Sequence, residues 1–431
     1  MMKHLFLHTY DGIESCYCGV GAITRSFISV MQMLHSGISD SFKFNIVTPS
    51  LKKSALGYNP MYLKRAREVT SKYGGQVYFV SDGSEGTFQY GSLTQWNASS
   101  LSSASIMLNN FRHDKETLDL LFDTPYAYAG YYFLRQAPRI KSKMKNATIV
   151  WVPHSTGLNQ ERAGKSHDPI RFNWEKGGIN LANFCDNVYI GCISNFMKKH
   201  LISDYGLDRK KAVEIINGVI PENEMITIPE KEIKEVLLKY KIPLHSKVII
   251  SFGRAEKYKG FERLLYLWQK IQKKENDLFF VLIAHQSTRY QPNLDILRFL
   301  FKKLKLRGII IPFKIPKKEL VGLCQWKNTK LIVIPSISEP FGLVCAEVRV
   351  WCRDKGGMCV ASDVDGLSEQ ISFGKDGFLY GQYSEEAVDV FIHALNLDDE
   401  TRTKIRKEGY NTVLKRYNYI TNTHKFLKHF I

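Results

Sequence analysis

Two carboxylates, an arginine and a lysine stand at the ends of apolar runs in this chain, and their spacing suggests work on an anionic ligand. Glu339 and Glu347 bracket the stretch Ser336 to Glu347, SISEPFGLVCAE, which follows the apolar run Lys330-Leu331-Ile332-Val333-Ile334-Pro335. A β-branched run ended by proline reads as a buried strand, and Gly342 to Trp351 reads as a helix that begins at glycine. Such a strand-to-helix turn aims free backbone N–H groups and the positive end of a helix dipole at one place, which suits a phosphate. The backbone donors would come from Gly342, Leu343 and Val344. Glu339 then lies at the mouth of the helix and Glu347 lies over a turn inside it, so the two can grip different parts of one ligand. The neighbours Val344, Ala346 and Val348 imply a largely buried helix, where an unpartnered Glu347 would be costly. Arg254 and Lys259 follow another apolar run, Lys247 to Phe252, with Gly253 and Gly260 beside them. Cations at a strand end and a helix start can supply positive charge to an anionic ligand such as a phosphate.

The elements that must position these groups alternate along the chain. Strands are expected at 3–8, 43–47, 76–80, 117–122, 148–152, 187–193 and 213–216, separated by helices near 20–35, 60–73, 99–110, 126–138, 168–185 and 195–205. This is the signature of βαβ units and a parallel sheet. Asn217-Gly218-Val219-Ile220-Pro221 interrupts it, and the polar stretch Pro221 to Glu230 reads as a hinge. A second series begins at Lys247 and continues through strands at 278–284, 308–312, 330–334 and 357–361. Helices near 384–396 and 399–416 and a last segment, Asn418 to Phe430, end the chain. The expected fold class is α/β, with two Rossmann-like domains facing across a cleft: residues 1–220 joined by 418–431, and residues 221–417. At 431 residues, two domains are also what a single core's size limit implies.

The stretch around Glu339 resembles the E-x7-E signature of retaining, nucleotide-sugar-dependent glycosyltransferases of family four, which have the GT-B fold. Ser251-Phe252-Gly253-Arg254 with Lys259-Gly260, Ile216-Asn217-Gly218-Val219, and Ala361 to Glu369 (ASDVDGLSE) are similar to further segments of that family, in the family's order. The resemblance implies a hexose-type sugar moved from a nucleotide-diphosphate sugar, foremost a UDP-sugar, to a hydroxyl-bearing acceptor. It implies retention of configuration, no metal and no cofactor beyond the nucleotide-sugar co-substrate. Arg254 and Lys259 would hold the diphosphate, Glu347 the ribose hydroxyls, Glu339 the sugar hydroxyls, and Phe341-Gly342 the sugar through their backbone. Gly19 and Gly21, in Cys18-Gly19-Val20-Gly21-Ala22, match the family's Gly-rich loop against the diphosphate and acceptor. The residues before them, His8 to Tyr17, are more than phosphate binding requires, and with them Tyr10 reads as acceptor recognition. His154, at the end of the strand Ile149 to Pro153, matches a histidine on the sugar's attacked face. Asp123 either binds an acceptor hydroxyl or caps the helix near Pro125. The stretch Ser81 to Asn97, with Trp96, mixes aromatic, amide and hydroxyl groups as sugar-like acceptors favour. In the same fold, a sugar-nucleotide epimerase, a phosphorylase or a catalytically silent sugar-nucleotide binder are the alternatives.

Three departures from the family pattern stand out. Asp365 occupies a position that is usually glycine, which puts the sugar-side contacts of its loop in question. Residues 348–359 are longer than the family's equivalent and imply an extended helix, and His285-Gln286-Ser287 replaces G-x-G. Asp363-Val364-Asp365 spells the D-x-D of metal-dependent transferases, but its place in the ASDVDG loop argues against a metal site.

Composition limits the other classes. The net charge of +18 is spread over both halves, 25 Lys and Arg against 17 Asp and Glu in 1–220 and 35 against 25 in 221–431. A nucleic-acid module concentrates charge on one recognisable element, so no nucleic-acid partner is expected. The densest basic cluster, Arg298 to Lys318, reads as a solvated face, with membrane-surface association the minority reading. The eight cysteines lack paired zinc spacing. No run of about 20 apolar residues occurs and the first apolar stretch is short for a signal peptide, so a cytoplasmic protein is expected.

Overall fold

The computed structural model describes residues 3–15, 19–34, 36–55, 57–84, 86, 92–113, 115–137, 146–285, 292–382 and 385–431. The chain divides into two compact units. One comprises Met1–Asn159, Ser166–Asn217 and Tyr419–Ile431, and the other comprises Gln160–Lys165 and Gly218–Asn418.

The first unit is built on a seven-stranded parallel sheet in the order β3-β2-β1-β4-β5-β6-β7. Its strands are β1 (Lys3–His8), β2 (Phe42–Pro49), β3 (Val77–Val80), β4 (Thr117–Phe122), β5 (Ala147–Val152), β6 (Val188–Cys192) and β7 (Ala212–Glu214). The central strands are apolar on both faces because helices cover both, and β4 is buried along its whole length. One polar chain runs through this core. His8 lies 3.0 Å from Ser103 Oγ through Nδ1 and 2.9 Å from Asp119 Oδ1 through Nε2, and Thr117 donates to the other Asp119 oxygen. All four side chains are buried and mutually partnered, which is the condition under which such groups are tolerated in a core.

The second unit has a six-stranded parallel sheet in the order β10-β9-β8-β11-β12-β13. Its strands are β8 (Lys247–Arg254), β9 (Leu278–His285), β10 (Gly308–Ile311), β11 (Thr329–Ile334), β12 (Met358–Ser362) and β13 (Phe378–Tyr380). Both sheets order their strands outward from the first, with the switch between strands one and four, the arrangement that opens a ligand crevice at the carboxyl ends. Among the described cysteines, Cys185, Cys192, Cys324, Cys345, Cys352 and Cys359 are free thiols. Cys16 and Cys18 lie outside the described residues.

The stretch expected to be a polar hinge carries structure. A short helix, Pro221–Glu224, is followed by a full helix, Glu230–Lys239, which buries Ile233 and Leu237. The spacing of those two residues and the proline at the helix N-cap were its sequence signal, masked by the surrounding charge. The terminal helix Tyr419–Lys428 packs against helix Gly19–Met33 of the first unit, and Asn422 donates to the Ile216 carbonyl at 3.2 Å. Just before it, Val219 N donates to Tyr417 O at 3.0 Å and pairs with Asn418. The residues after Glu347 form no longer helix: helix Leu343–Trp351 stops at Trp351, and turns around Gly356, at φ 96°, lead into β12.

Candidate functional site

In the second unit, the carboxyl end of the sheet gathers the charged residues. Arg254 ends β8, in register with His285 of β9. A short turn then brings Lys259 to the start of helix Phe261–Lys274 through Gly260, at φ 71°. A Cβ at Gly260 would lie 1.8 Å from the Pro335 carbonyl oxygen, so only glycine lets the end of β11 pack on this turn. The Ile337 N–H donates to the Tyr258 carbonyl at 2.7 Å and fastens the two segments.

This approach sets Lys259 Nζ 2.6 Å from Glu339 Oε2, both side chains about one-fifth exposed. Burial is the largest single influence and pulls the lysine's pKa down, but the charge and hydrogen bond of Glu339 and the nearby Tyr258 together outweigh it, and the net shift is upward. The Tyr258 ring lies under both cations, 4.9 Å from Lys259 Nζ and 5.7 Å from the Arg254 guanidinium. Arg254 also donates to the Tyr258 hydroxyl and pairs with Glu256 at 2.7 Å. Neither Tyr258 nor Glu256 was singled out in the sequence, since neither belongs to a recognisable spacing.

Helix Leu343–Trp351 starts behind this cluster. Its N-cap, Gly342, has φ 89°, and a Cβ there would meet Leu367 Cδ2 at 2.4 Å. Leu343 and Val344 follow in the first turn, where helical N–H groups lack intrahelical acceptors. Phe341 is buried beside Tyr417, with ring centroids 5.6 Å apart. Buried Gln370 donates to the Phe341 and Gly342 carbonyls, and Arg349 in turn donates to the Gln370 carbonyl at 2.8 Å. The turn is therefore held from beneath by side chains outside the motif.

Glu347 lies in the same helix. Burial pushes its pKa up to about 7, the Glu224 carboxylate adds to the rise, and Lys317 opposes it. Glu224 itself is satisfied by Lys317 at 2.6 Å and by Trp351 Nε1 at 2.6 Å. Nothing in the sequence linked Glu224 to Glu347, because the influence of one charge on the other depends on how helix Pro221–Glu224 packs against helix Leu343–Trp351. Of the D-x-D pair, Asp363 is exposed while Asp365 turns to Ser338. Among the described residues no group of three or more His, Cys, Asp or Glu side chains is arranged to hold a metal ion.

In the first unit, His154 follows β5. Both of its ring nitrogens are shielded from solvent without a hydrogen-bond partner, and its ring meets Phe122 edge-on at 5.2 Å. Burial lowers its pKa and the Asp123 charge works against that. Asp123 has φ 82°, rare for a non-glycine residue. Its side chain makes no capping bond to the turn Thr124–Tyr126, so the capping alternative falls. Arg171 ties the two loops together, donating to Ser155 O, Ser155 Oγ and Thr124 Oγ1 while pairing with buried Glu175 at 2.7 Å. Glu175 also accepts from the Gly157 N–H and the Tyr205 hydroxyl.

Tyr10 is buried and donates to Gln95 Oε1 at 2.8 Å. Burial and the Asp82 carboxylate push its hydroxyl well above its ordinary pKa. Tyr126 is raised by burial and by Tyr10, Asp82 and Asp123 in turn, which places these groups in one neighbourhood.

Two expectations are corrected here. Gly19 and Gly21 form the first turn of helix Gly19–Met33 and not a flexible loop; a Cβ at Gly21 would lie 2.8 Å from the Asp11 carboxyl group. Trp96 lies in helix Leu93–Arg112, which starts six residues before the expected position, and it is buried against Trp174 and Arg171 instead of open on a loop. Hydroxyl-rich residues 97–103 masked the helix signal. Residues 16–18, 85, 87–91 and 286–291, which include parts of the expected acceptor segments and Gln286-Ser287, lie outside the described residues.

Residues 232–412 match the family model for glycosyl transferases group 1. A D-inositol 3-phosphate glycosyltransferase of Corynebacterium aurimucosum is 28% identical over 163 residues, 37% of each chain. The match thus spans little more than a third of that relative's length. Among solved structures, sucrose-phosphate synthase of Thermosynechococcus elongatus superposes with a TM-score of 0.73 at 14% identity, covering 99% of this chain and 98% of that one. HepE of Anabaena, solved with UDP and glucose, gives 0.68 at 17% identity, covering 100% and 99%. Residues 232–412 thus resemble the glycosyl transferases group 1 family, and the chain as a whole has the two-sheet α/β fold of these GT-B structures.

Proposed function

We propose that the chain is a retaining, metal-independent glycosyltransferase that moves a hexose-type sugar from a nucleotide-diphosphate sugar, foremost a UDP-sugar, to an acceptor hydroxyl. The observation that carries this reading is the convergence of Arg254, Lys259 and Glu339 at one sheet edge, at the head of the helix that bears Glu347. Two cations and a helix N-terminus suit a diphosphate, and a carboxylate one turn into that helix suits the ribose hydroxyls.

In the reaction, the bond between the anomeric carbon and the diphosphate oxygen breaks as the acceptor oxygen bonds to the same carbon on the same face. The departing diphosphate takes the acceptor's proton, so no dedicated protein base is needed. Arg254 and Lys259 stabilise the charge that grows on the diphosphate. Glu339 holds the sugar hydroxyls, with the backbone of Phe341 and Gly342. His154 is assigned to the sugar, and its unpartnered ring nitrogens support a ligand-binding role. Asp123 and Tyr10 are assigned to the acceptor. Trp96, buried, would act by shaping that region. The Gly19 and Gly21 turn is assigned to the diphosphate as a helix start.

The test is a panel of nucleotide sugars incubated with the purified chain, with nucleoside diphosphate release measured with and without candidate acceptors. An α-linked donor should give an α-linked first product by proton NMR of its anomeric signal. A β-linked first product overturns retention. Conversion of the donor without any acceptor favours an epimerase instead, and a requirement for inorganic phosphate favours a phosphorylase.

A further inference from the structure

Asp365 stands where the resembling pattern has glycine, and its backbone keeps a glycine-like conformation, with φ 44°. Its carboxylate spans back to the loop before helix Leu343–Trp351. Oδ2 accepts both the Ser338 hydroxyl and the Glu339 backbone N–H, the latter at 3.0 Å. The next residue closes the clasp from the other side, since Gly366 N donates to the Glu339 carbonyl at 3.0 Å. The peptide groups on both sides of the Glu339 Cα are therefore held by the Asp365-Gly366 turn. The Glu339 side chain then reaches Lys259 at 2.6 Å.

We infer that Asp365 is a positioning residue that fixes the Glu339 backbone through its own carboxylate, so that Glu339 meets Lys259 and the transferred sugar in one geometry. A glycine in this turn could adopt the same backbone but could not supply the acceptor oxygen. An ionised carboxylate accepts a backbone N–H more strongly than a neutral group does, and it can accept a hydroxyl on the same oxygen. Aspartate is also among the few side chains that enter the left-handed region readily, so the turn accommodates the substitution. This residue does not touch the reacting atoms; it acts through Glu339. The turn's other carboxylate, Asp363, is exposed and makes no such bond in the described structure.

The catalytic part of the inference rests on the proposed transferase reading, and the experiment separates the two. Asp365→Gly keeps the backbone option and removes the acceptor, whereas Asp365→Asn keeps one amide oxygen able to accept the same bonds. Amide hydrogen exchange over residues 335–343 should speed up at Glu339 in Asp365→Gly and stay near wild type in Asp365→Asn. Where wild-type transfer is measured, Asp365→Gly should lower kcat by about ten- to a hundred-fold, the scale of a small misplacement, with UDP affinity unchanged. Asp365→Asn should recover most of that loss. Unchanged exchange at Glu339 in Asp365→Gly overturns the positioning role whatever the activity. Faster exchange with unchanged kcat overturns its importance for transfer. If the wild-type chain turns over no nucleotide sugar, the transferase reading fails, and the exchange result still decides whether Asp365 holds Glu339.

Discussion

Lys259 and Glu339, eighty residues apart in sequence, are joined by a 2.6 Å ion pair at the carboxyl edge of the second sheet. Each is about one-fifth exposed, so removing either partner leaves a largely desolvated polar group without its nearest counterpart. An incoming diphosphate would share the lysine and leave Glu339 free to accept a sugar hydroxyl. Lys259→Ala should lower turnover by about a hundred- to a thousand-fold, as does removal of one preorganised donor, while the chain stays folded by circular dichroism. Turnover near wild type would remove Lys259, and with it this reading of the pair, from the reaction.

Glu347 carries the prediction about nucleotide binding. Glu347→Ala should weaken binding by about 1.5–3 kcal/mol, the range for a charged hydrogen-bond partner, measured by titration with UDP. Because burial, helped by Glu224, raises its pKa to about 7, the ionised form assigned to the ribose hydroxyls is depleted below neutral pH. Affinity for uridine, which has no phosphate to titrate, should fall as pH drops through about 7 and should lose that dependence in Glu347→Gln. The same group has the opposite effect on stability. Its folded pKa lies above the ordinary glutamate value of about 4.5, so the folded state holds the proton more firmly and its contribution to stability declines as pH rises from about 4.5 to 7. Glu347→Gln should therefore raise the melting temperature more at pH 8 than at pH 5.

Transfer should survive chelation. Arg254, Lys259 and the helix start at Gly342 are assigned the charge that a divalent ion supplies elsewhere. Assays in excess EDTA should match untreated enzyme; loss of transfer, restored by a divalent ion, would reopen the role of Asp363 and Asp365.

A structural prediction concerns the buried His8–Asp119 pair. Asp119→Ala removes the carboxylate that both His8 Nε2 and the Thr117 hydroxyl bond inside the core, and a buried polar group left without its partner costs about 1–3 kcal/mol. The first unit should unfold at lower urea, followed by near-ultraviolet circular dichroism. An unchanged midpoint would mean that the network is not a stability element.

The sequence by itself determined the alternation of strands and helices, because apolar runs buried on both faces have a composition that neighbours cannot disguise. It also determined which residues stand at the ends of strands and in the turns that follow them: Arg254, Asp123 and His154 at or just past strand ends, Lys259 and Glu339 in turns ahead of helices. What it left open were facts about contact. The helices Glu230–Lys239 and the first turn at Leu93 were obscured by charged and hydroxyl residues whose local preference is weak, and tertiary packing of Ile233, Leu237 and Trp96 settled them. Only the folded chain pairs Lys259 with Glu339, presses Glu224 on Glu347, and turns Asp365 from a suspected obstruction into an anchor for the Glu339 backbone. Those relations join residues far apart in sequence, and they depend on how glycines at 260 and 342 allow segments to approach, which no local spacing records.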